Sequence, residues 1–559
     1  MKKRLIAVVL SMVLAISCLA GCGGGKSGET IVVEIYDEAA NFQGTQVGWF
    51  AKVVKDRFNI ELNIIAPQVA GDAVYQTRTA TGNLGDIVLL DPTHFNDCVD
   101  AGLIKDIAAE YANCENLKVF DNQIQAKNKS IPGNTSGAIY GIPCEMTNTS
   151  PTTYSDDVVA SSPMLRWDYY AEIGAPDIAD LDGLLDVIKQ IQDNHPTNDA
   201  GDPAYGFSLW PDWDNNDQMI GIANVVQLTT WYGQKIKESA ILTEDDTFIP
   251  LTDKEGTYYK MLKFLYKANQ MGLVDPDSGT QDWNAACAKM SNGQVYTFWY
   301  SWQVGFWNSQ DKLAAGQGMI FIPVADQKYY AVADTYYGSG RVIGVGSGVE
   351  GEKLDRIMKF LDWYASPEGC QFQHNGIEGF NYTVNADGTF TAMNDNALMD
   401  NLPVPEEYGG AGYSDGNNAI NQWIVNAISI NPNTGESYGN THWKSWKEAT
   451  ATKTKNEWSA RFGYPEAVDW MKANNALLVR PNVSVSLESY PVDIDAIRSQ
   501  VAQEVKNASW QMVFAKDEAD FDAQWDAMVN KVNGLGFEQL YAFDVQRFSV
   551  ELEAMQAAK

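Results

Sequence analysis

Histidine is scarce in this sequence of 559 residues, with four copies scattered at His94, His195, His374 and His442. His94 and Cys98 are four apart, but no second ligand pair accompanies them, so no metal site is expected. Seven cysteines are present. Cys18 and Cys22 fall in the N-terminal segment. Cys98, Cys114, Cys144, Cys287 and Cys370 remain, an odd number at wide spacings that argues against a disulfide framework and leaves at least one thiol free. Basic residues are also few: 40 Lys and Arg face 72 Asp and Glu, for a net charge of −32. Such a surface repels nucleic acid and anionic membrane, and no nucleic-acid partner is expected. Beyond the N-terminal segment no run reaches the roughly 18 uninterrupted apolar residues of a membrane helix. There is no Gly-x-Ser-x-Gly elbow, no metalloprotease histidine pair, no internal repeat, and nothing that calls for a cofactor.

What is present is material for large cores. Hydrophobic residues make up 45% of the chain, which places it among globular proteins. Its length is that of about three to four domains.

The stretch "LAGCGGGKSG" (Leu19 to Gly28) admits two readings. Ala20 followed by Gly25-Lys26-Ser27 is a loose phosphate-loop pattern. Such a loop needs a buried strand before it and a helix after it. The preceding residues are instead basic (Lys2, Lys3, Arg4) and then apolar from Leu5 to Ile16, the order of a secretory signal. "GETIVVEIYD" follows and reads as loop then strand. Leu19-Ala20-Gly21-Cys22 resembles the lipobox of bacterial lipoproteins. That resemblance implies a signal at 1–21, cleavage before Cys22, diacylation of its thiol, and a flexible tether over 22–29. With the leader removed, the charge is near −35.

Further along, "TIVVEIYDEA" (30–39) reads as a first core strand. "WFAKVVKDRF" (49–58) has helical spacing, and "NIELNIIAP" is a second strand. A short helix near 73–80 leads to "GDIVLLDP" (85–92), whose continuous apolar run suits a strand buried on both faces. Strand, helix, strand, helix, strand is the opening of a doubly wound α/β lobe. "LDGLLDVIKQIQ" is an amphipathic helix with Asp180 as its N-cap. Residues 258–272 form another helix. Val295–Asn308 is an aromatic-rich, strand-like stretch. "KLDRIMKFLDWYASPEG" is a helix, and Ser366-Pro367 opens the next one. Residues 520–536 put Phe521, Trp525, Met528, Val529 and Val532 on one helical face.

This layout resembles the family 1 extracellular solute-binding proteins of bacterial ABC importers, most of all the long, lipoprotein-type branch associated with oligosaccharides. The resemblance rests on the lipobox, "GDIVLLDP", "YGIPCE", "MLRWDYYAEIGAPDIADLDGLLDVIKQIQ", "YTFWYSW", "RVIGVGSG", "SPEG", "GIEGFNY" and "FAKDEADFDAQWDAMVNKVNGLGFEQL", in that order. It implies an α/β, two-lobed periplasmic-binding-protein-like fold with a hinge and an interlobe ligand cleft. One lobe takes 30–145 and returns over 341–400. The other takes 146–340, and 401–559 is mainly second lobe and C-terminal helices. Long members that bind acidic polysaccharide carry an EF-hand-like calcium loop. Here the matching stretch reads "DNHPTNDAGDPAYG", without the Asp/Asn alternation and terminal Glu that calcium prefers.

A sugar ligand implies its own chemistry. Flat rings match the C–H-rich faces of a pyranose, while carboxylates and amides match its hydroxyl rim. The sequence holds 17 Trp and 26 Tyr. The densest run, "VYTFWYSWQVGFWN", contains Tyr296, Phe298, Trp299, Tyr300, Trp302, Phe306 and Trp307. As a strand it would put Tyr296, Phe298, Tyr300 and Trp302 on one face and Trp299 on the other. Trp302, where the strand should end, is the best single candidate. Packing in the core is the competing role for each ring. "LWPDWDNND" places Trp210 and Trp213 in a loop. Tyr336 and Tyr337 lie at the return crossing, and Glu145 closes the first one. Asn41 and Asp91 follow the first and third strands, whose C-terminal ends face the ligand crevice in open α/β sheets. Glu378, between glycines, reads as structural.

The expectation is a lipid-anchored monomeric receptor on the extracellular face of a bacterial membrane. It captures a neutral oligosaccharide and passes it to the permease subunits of an ABC importer. The alternatives are the same fold with a peptide or polyamine ligand, a surface glycoside hydrolase, and an adhesin without a small ligand. A hydrolase needs two carboxyls about 5–9.5 Å apart, which no linear pattern reveals.

Overall fold

The computed structural model describes residues 28–38, 40, 42–67, 73–215, 219–393, 403–413, 416, 423–449, 451–485 and 487–559. The signal at 1–21, Cys22 and most of its tether, and Asn41 lie outside the described residues.

The first lobe is built on a six-stranded sheet. Its order is 44–45, 60–65, 31–37, 87–90, 342–345, 141–143. Ile31–Asp37 runs parallel to both Ile60–Ile65 and Ile87–Leu90. All four residues of Ile87–Leu90 are buried, as a strand covered on both faces requires. Helix Gly48–Phe58 turns Trp49, Phe50 and Val54 inward and stops at Asn59, which takes the left-handed conformation (φ 51°) that closes many helices. Val342–Val345 arrives from the other lobe and enters this sheet antiparallel, between Ile87–Leu90 and Gly141–Pro143. Helix Gly351–Tyr364 follows it, and then Pro367–Asn375, capped by the Ser366 hydroxyl with Pro367 at its first position.

The second lobe has a larger core and smaller sheets. Ser161–Arg166 lies antiparallel between Thr297–Tyr300 and Met319–Phe321. Tyr329–Val332 pairs in parallel with Leu477–Arg480. Helix Leu181–Asn194 starts where expected, with the Asp180 carboxylate accepting from the Gly183 N–H at 2.9 Å. Helices Val492–Val513, Glu518–Gly534 and Phe537–Ala558 form a C-terminal layer. Val505, Met512, Phe521, Trp525, Val532 and Leu540 carry it onto the lobe.

The return to the first lobe extends beyond residue 400. Val404, Tyr413, Ile424, Val425 and Tyr438 all pack in the first core, and Tyr413 stacks on Trp49 at 5.0 Å. These residues fall in the stretch expected to be mainly second lobe. The buried aromatic face of Gly48–Phe58 needs cover, and residues of this late segment supply it.

Among the described residues, the segments around Glu145, Thr335 and Trp423 meet at the junction of the lobes. The Glu145 N–H donates to the Trp423 carbonyl (2.7 Å), and its own carbonyl accepts from the Thr335 hydroxyl (2.6 Å). Glu145 itself sits at φ 55°, an uncommon conformation for a residue with a side chain. Asp334 ties the second crossing to the first, accepting from the Thr149 hydroxyl and from both the N–H and hydroxyl of Ser155.

Candidate functional site

The aromatic run does not continue as one strand. Thr297–Tyr300 is extended, and Ser301–Phe306 then coils into a 3-10 turn. Gln303 causes the change. Its buried side-chain carbonyl turns back and accepts from the N–H groups of Trp299 (3.2 Å) and Tyr300 (3.1 Å). These amides are thereby satisfied without a further strand partner. The alternation expected across 296–302 therefore fails. Tyr296, Phe298 and Trp299 are all buried, whereas Trp302 is lifted off the strand and is 49% exposed.

Trp302 is the outermost ring of a continuous aromatic patch. It stacks on Tyr300 (5.4 Å, 29° between planes) and meets Trp213, Trp283 and Phe306 at 6.2, 5.7 and 6.1 Å. Trp213, Trp283, Tyr300 and Phe306 are half-buried. Beneath them lie Trp210 and Trp299, which are fully buried. Thus four candidate rings from two distant stretches come together, but at two depths. Trp210 and Trp299 back the patch from inside, because the loop carrying Trp210 is pulled into the core. The sequence-based reading passed over Trp283. It is the first residue of a helix capped by Asp282, and no aromatic run marks it.

Two carboxylates hold the Trp213 loop. Asp212 accepts from the Trp283 N–H at 2.7 Å, which joins the loop to that helix. Asp214 accepts from the Trp510 indole N–H at 2.7 Å and the Ala223 N–H at 2.9 Å. Burial pushes the Asp214 carboxyl up to about 6, against the pull of these hydrogen bonds. Ser301 and Val304, from the turn that carries Trp302, also line a cavity of about 370 Å³ with Met164, Phe321, Trp446 and Trp458.

The remaining candidates lie elsewhere. Tyr336 and Tyr337 sit on the second crossing, half-buried and edge to face at 4.9 Å. The Tyr337 N–H donates to Asn482. The Glu145 carboxylate stands 3.4 Å from the Asn426 amide, within the hinge. Asp91 follows Ile87–Leu90 and caps helix Pro92–Asp100, accepting from the N–H groups of Thr93 and His94. Its neighbours Glu38 and Tyr75 were not singled out from the sequence, and His94 was weighed there only as a partner of Cys98. His94 faces Glu38 and Asp91, while Cys98, four residues on, contacts the Tyr75 hydroxyl at 3.7 Å.

Two α/β lobes, joined at the Glu145 junction and carrying an exposed aromatic patch on one of them, define a two-lobed solute-binding protein. Residues 43–369, more than half the chain, match the model of the bacterial extracellular solute-binding protein family, and the chain belongs to that family. Among solved structures, an "HMO binding ABC-transporter associated" solute-binding protein from Bifidobacterium longum infantis is similar. Its TM-score is 0.60 at 14% identity, over 94% of this chain and 100% of that one. FusA of S. pneumoniae, an ABC-transporter substrate-binding protein in complex with kestose, has a TM-score of 0.59 at 13% identity over 94% and 100%. The alginate-binding protein AlgQ2 without calcium ion has 0.57 at 14% identity over 94% and 99%. At these identities the likeness is one of fold. No curated protein sequence matches. No helix among the described residues is long and apolar enough to cross a membrane.

Proposed function

We propose that this protein captures a neutral oligosaccharide outside the cell and delivers it to the membrane subunits of an ABC importer, held at the membrane by lipid on Cys22. The patch around Trp302 carries the reading. An exposed ring stacked on Tyr300 and flanked by Trp213 and Trp283 offers flat apolar faces on which a pyranose stacks. Trp302 and Trp213 are the proposed contacts, framed by Trp283, Tyr300 and Phe306, with Trp210 and Trp299 holding the patch from below. On the first lobe, Asp91 at the crevice end of the sheet is proposed to accept sugar hydroxyls. Glu145, Tyr336 and Tyr337 set the geometry of closure. The lobes are assigned as 30–145 with 341 to about 438, and 146–340 with the rest.

The charge of −32 disfavours a polyanionic ligand. Neighbours of the same fold are described as HMO-binding, as a complex with kestose, and as an N-glycan transport protein, which supports a sugar here. A panel of neutral, acidic and amino oligosaccharides screened by thermal shift tests the proposal, since a bound ligand raises apparent stability by mass action. A neutral sugar should raise the melting temperature, with little dependence on salt. It should also shrink the radius of gyration in solution scattering as the lobes close. A response only to charged ligands, or hydrolysis of the panel, would reject the reading.

A further inference from the structure

We infer that Glu38, Asp91 and His94 form a binding site for a divalent transition cation of the zinc type at the crevice edge of the first lobe. Glu38 follows strand Ile31–Asp37, Asp91 follows strand Ile87–Leu90, and these strands are neighbours in the sheet. Their C-terminal ends therefore bring the two carboxylates together, and the first turn of helix Pro92–Asp100 adds the imidazole. His94 Nδ1 stands 2.9 Å from Glu38 Oε1 and 2.9 Å from Asp91 Oδ2. All three donor atoms lie within 4.8 Å of one another. Donor atoms on one tetrahedral zinc, with bonds of about 2.0–2.2 Å, sit about 3.3–3.6 Å apart. Small side-chain rotations would bring the three donors to that spacing.

The far side of each ligand is already fixed by a different group. Glu38 Oε2 accepts from the Asp91 N–H at 2.9 Å. Asp91 Oδ1 accepts from the N–H groups of Thr93 and His94 at 2.7 and 3.1 Å. The imidazole lies against the Tyr75 ring, with centroids 4.7 Å apart. Such supports orient ligands and raise affinity. Two carboxylate oxygens and one imidazole nitrogen favour zinc over calcium or magnesium, which prefer all-oxygen shells. The three side chains are 27%, 40% and 42% exposed, so a fourth position is open to water or to a hydroxyl of a bound solute. The inference does not rest on the sugar reading, because the cation alone is the ligand.

Isothermal titration of zinc chloride into the mature chain, without a polyhistidine tag and after chelator dialysis, tests the site. One saturable equivalent is expected, with magnesium in large excess failing to compete. Glu38→Gln and His94→Gln should each weaken binding about tenfold or more. Asp91→Asn separates ligation from folding, because asparagine is an equally good N-cap. It should weaken zinc binding while the metal-free melting temperature stays put. His195→Gln, at the unrelated pair with Glu172, should bind as the parent does. Cobalt should bind without a thiolate charge-transfer band. No saturable binding, binding unaffected by the three substitutions, or a thiolate band would each overturn the site.

Discussion

Trp210 lies face to face on Trp299, with ring centroids 5.4 Å apart and planes 11° from parallel, and both are closed to solvent. Neither indole N–H has a hydrogen-bond partner among the described residues. This pair is a structural base on which the exposed rings stand.

That division predicts two kinds of tryptophan variant. Trp302→Ala and Trp213→Ala should weaken sugar binding about tenfold, the order of one to a few kcal/mol of lost stacking. Trp302→Ala should leave the melting temperature near that of the parent. Trp210→Ala and Trp299→Ala should instead cost about 3–5 kcal/mol of stability through the cavities they leave. Affinity and thermal unfolding measured on the same four proteins check this. A large loss of stability in Trp302→Ala would place that ring in the core.

The loop carrying Trp213 should depend on Asp212. Asp212→Ala removes the acceptor for the Trp283 N–H and frees two rings of the patch from one another. A helix-terminal acceptor of this kind is worth about 0.5–2 kcal/mol. Binding measured by calorimetry should fall several-fold, with only a small drop in melting temperature. Unchanged affinity would mean that the rings are held by packing alone.

His374 should make stability depend on pH. It is buried beside Trp423, and its Nε2–H donates to the Val425 carbonyl at 2.9 Å. Burial holds its pKa down at about 4, although that hydrogen bond pulls the other way. Above the ordinary value near 6.5, folded and unfolded imidazoles are both neutral, and the full stability is present. As pH falls from there toward about 4, the unfolded chain takes up a proton that the folded chain refuses, and stability is lost. The loss reaches about 3 kcal/mol across that window. Denaturant unfolding at about pH 7 and about pH 5 should show it, and His374→Gln should remove that part of the slope. An identical slope in the variant would contradict the assignment.

Gly338 should be intolerant of a side chain. Its φ is +91°, and a Cβ would come within 2.6 Å of the Cys144 carbonyl oxygen and 2.9 Å of Pro143. Both the backbone conformation and the space require glycine. Gly338→Ala should destabilise by about 1–3 kcal/mol and disturb the second crossing, lowering ligand affinity. Gly388→Ala, at an open turn of similar φ with no atom in the way, should cost less. Equal losses would show that conformation alone matters.

Cys22→Ala should release the protein from membranes, because two or more acyl chains are what a stable anchor requires. Cell fractionation reads the result. A variant that still pellets with membranes would end the anchoring proposal.

Local pattern was enough for the elements that depend on short-range rules. The short apolar run Ile87–Leu90, bounded by Gly85 and Pro92, suited a doubly covered strand. Asp180 and Ser366 set helix starts because their side chains satisfy amides within the same turn. The resemblance of the ordered motifs to a known family implied the two-lobed binding fold, while element order alone showed only the opening of one α/β lobe. The depth of the rings was not legible, because burial belongs to the partners that tertiary folding brings, and Trp210 and Trp302 look alike in a line of sequence. Gln303 turned a strand into a 3-10 turn by a single side-chain acceptor that periodicity does not register. Trp283 joined the patch from an isolated position, and Glu38 reached His94 across 56 residues because neighbouring parallel strands end side by side. The sequence by itself determined which segments fold and in what order. Which of its aromatic and acidic side chains meet, and which of them still face water, was decided only when the two lobes closed their cores.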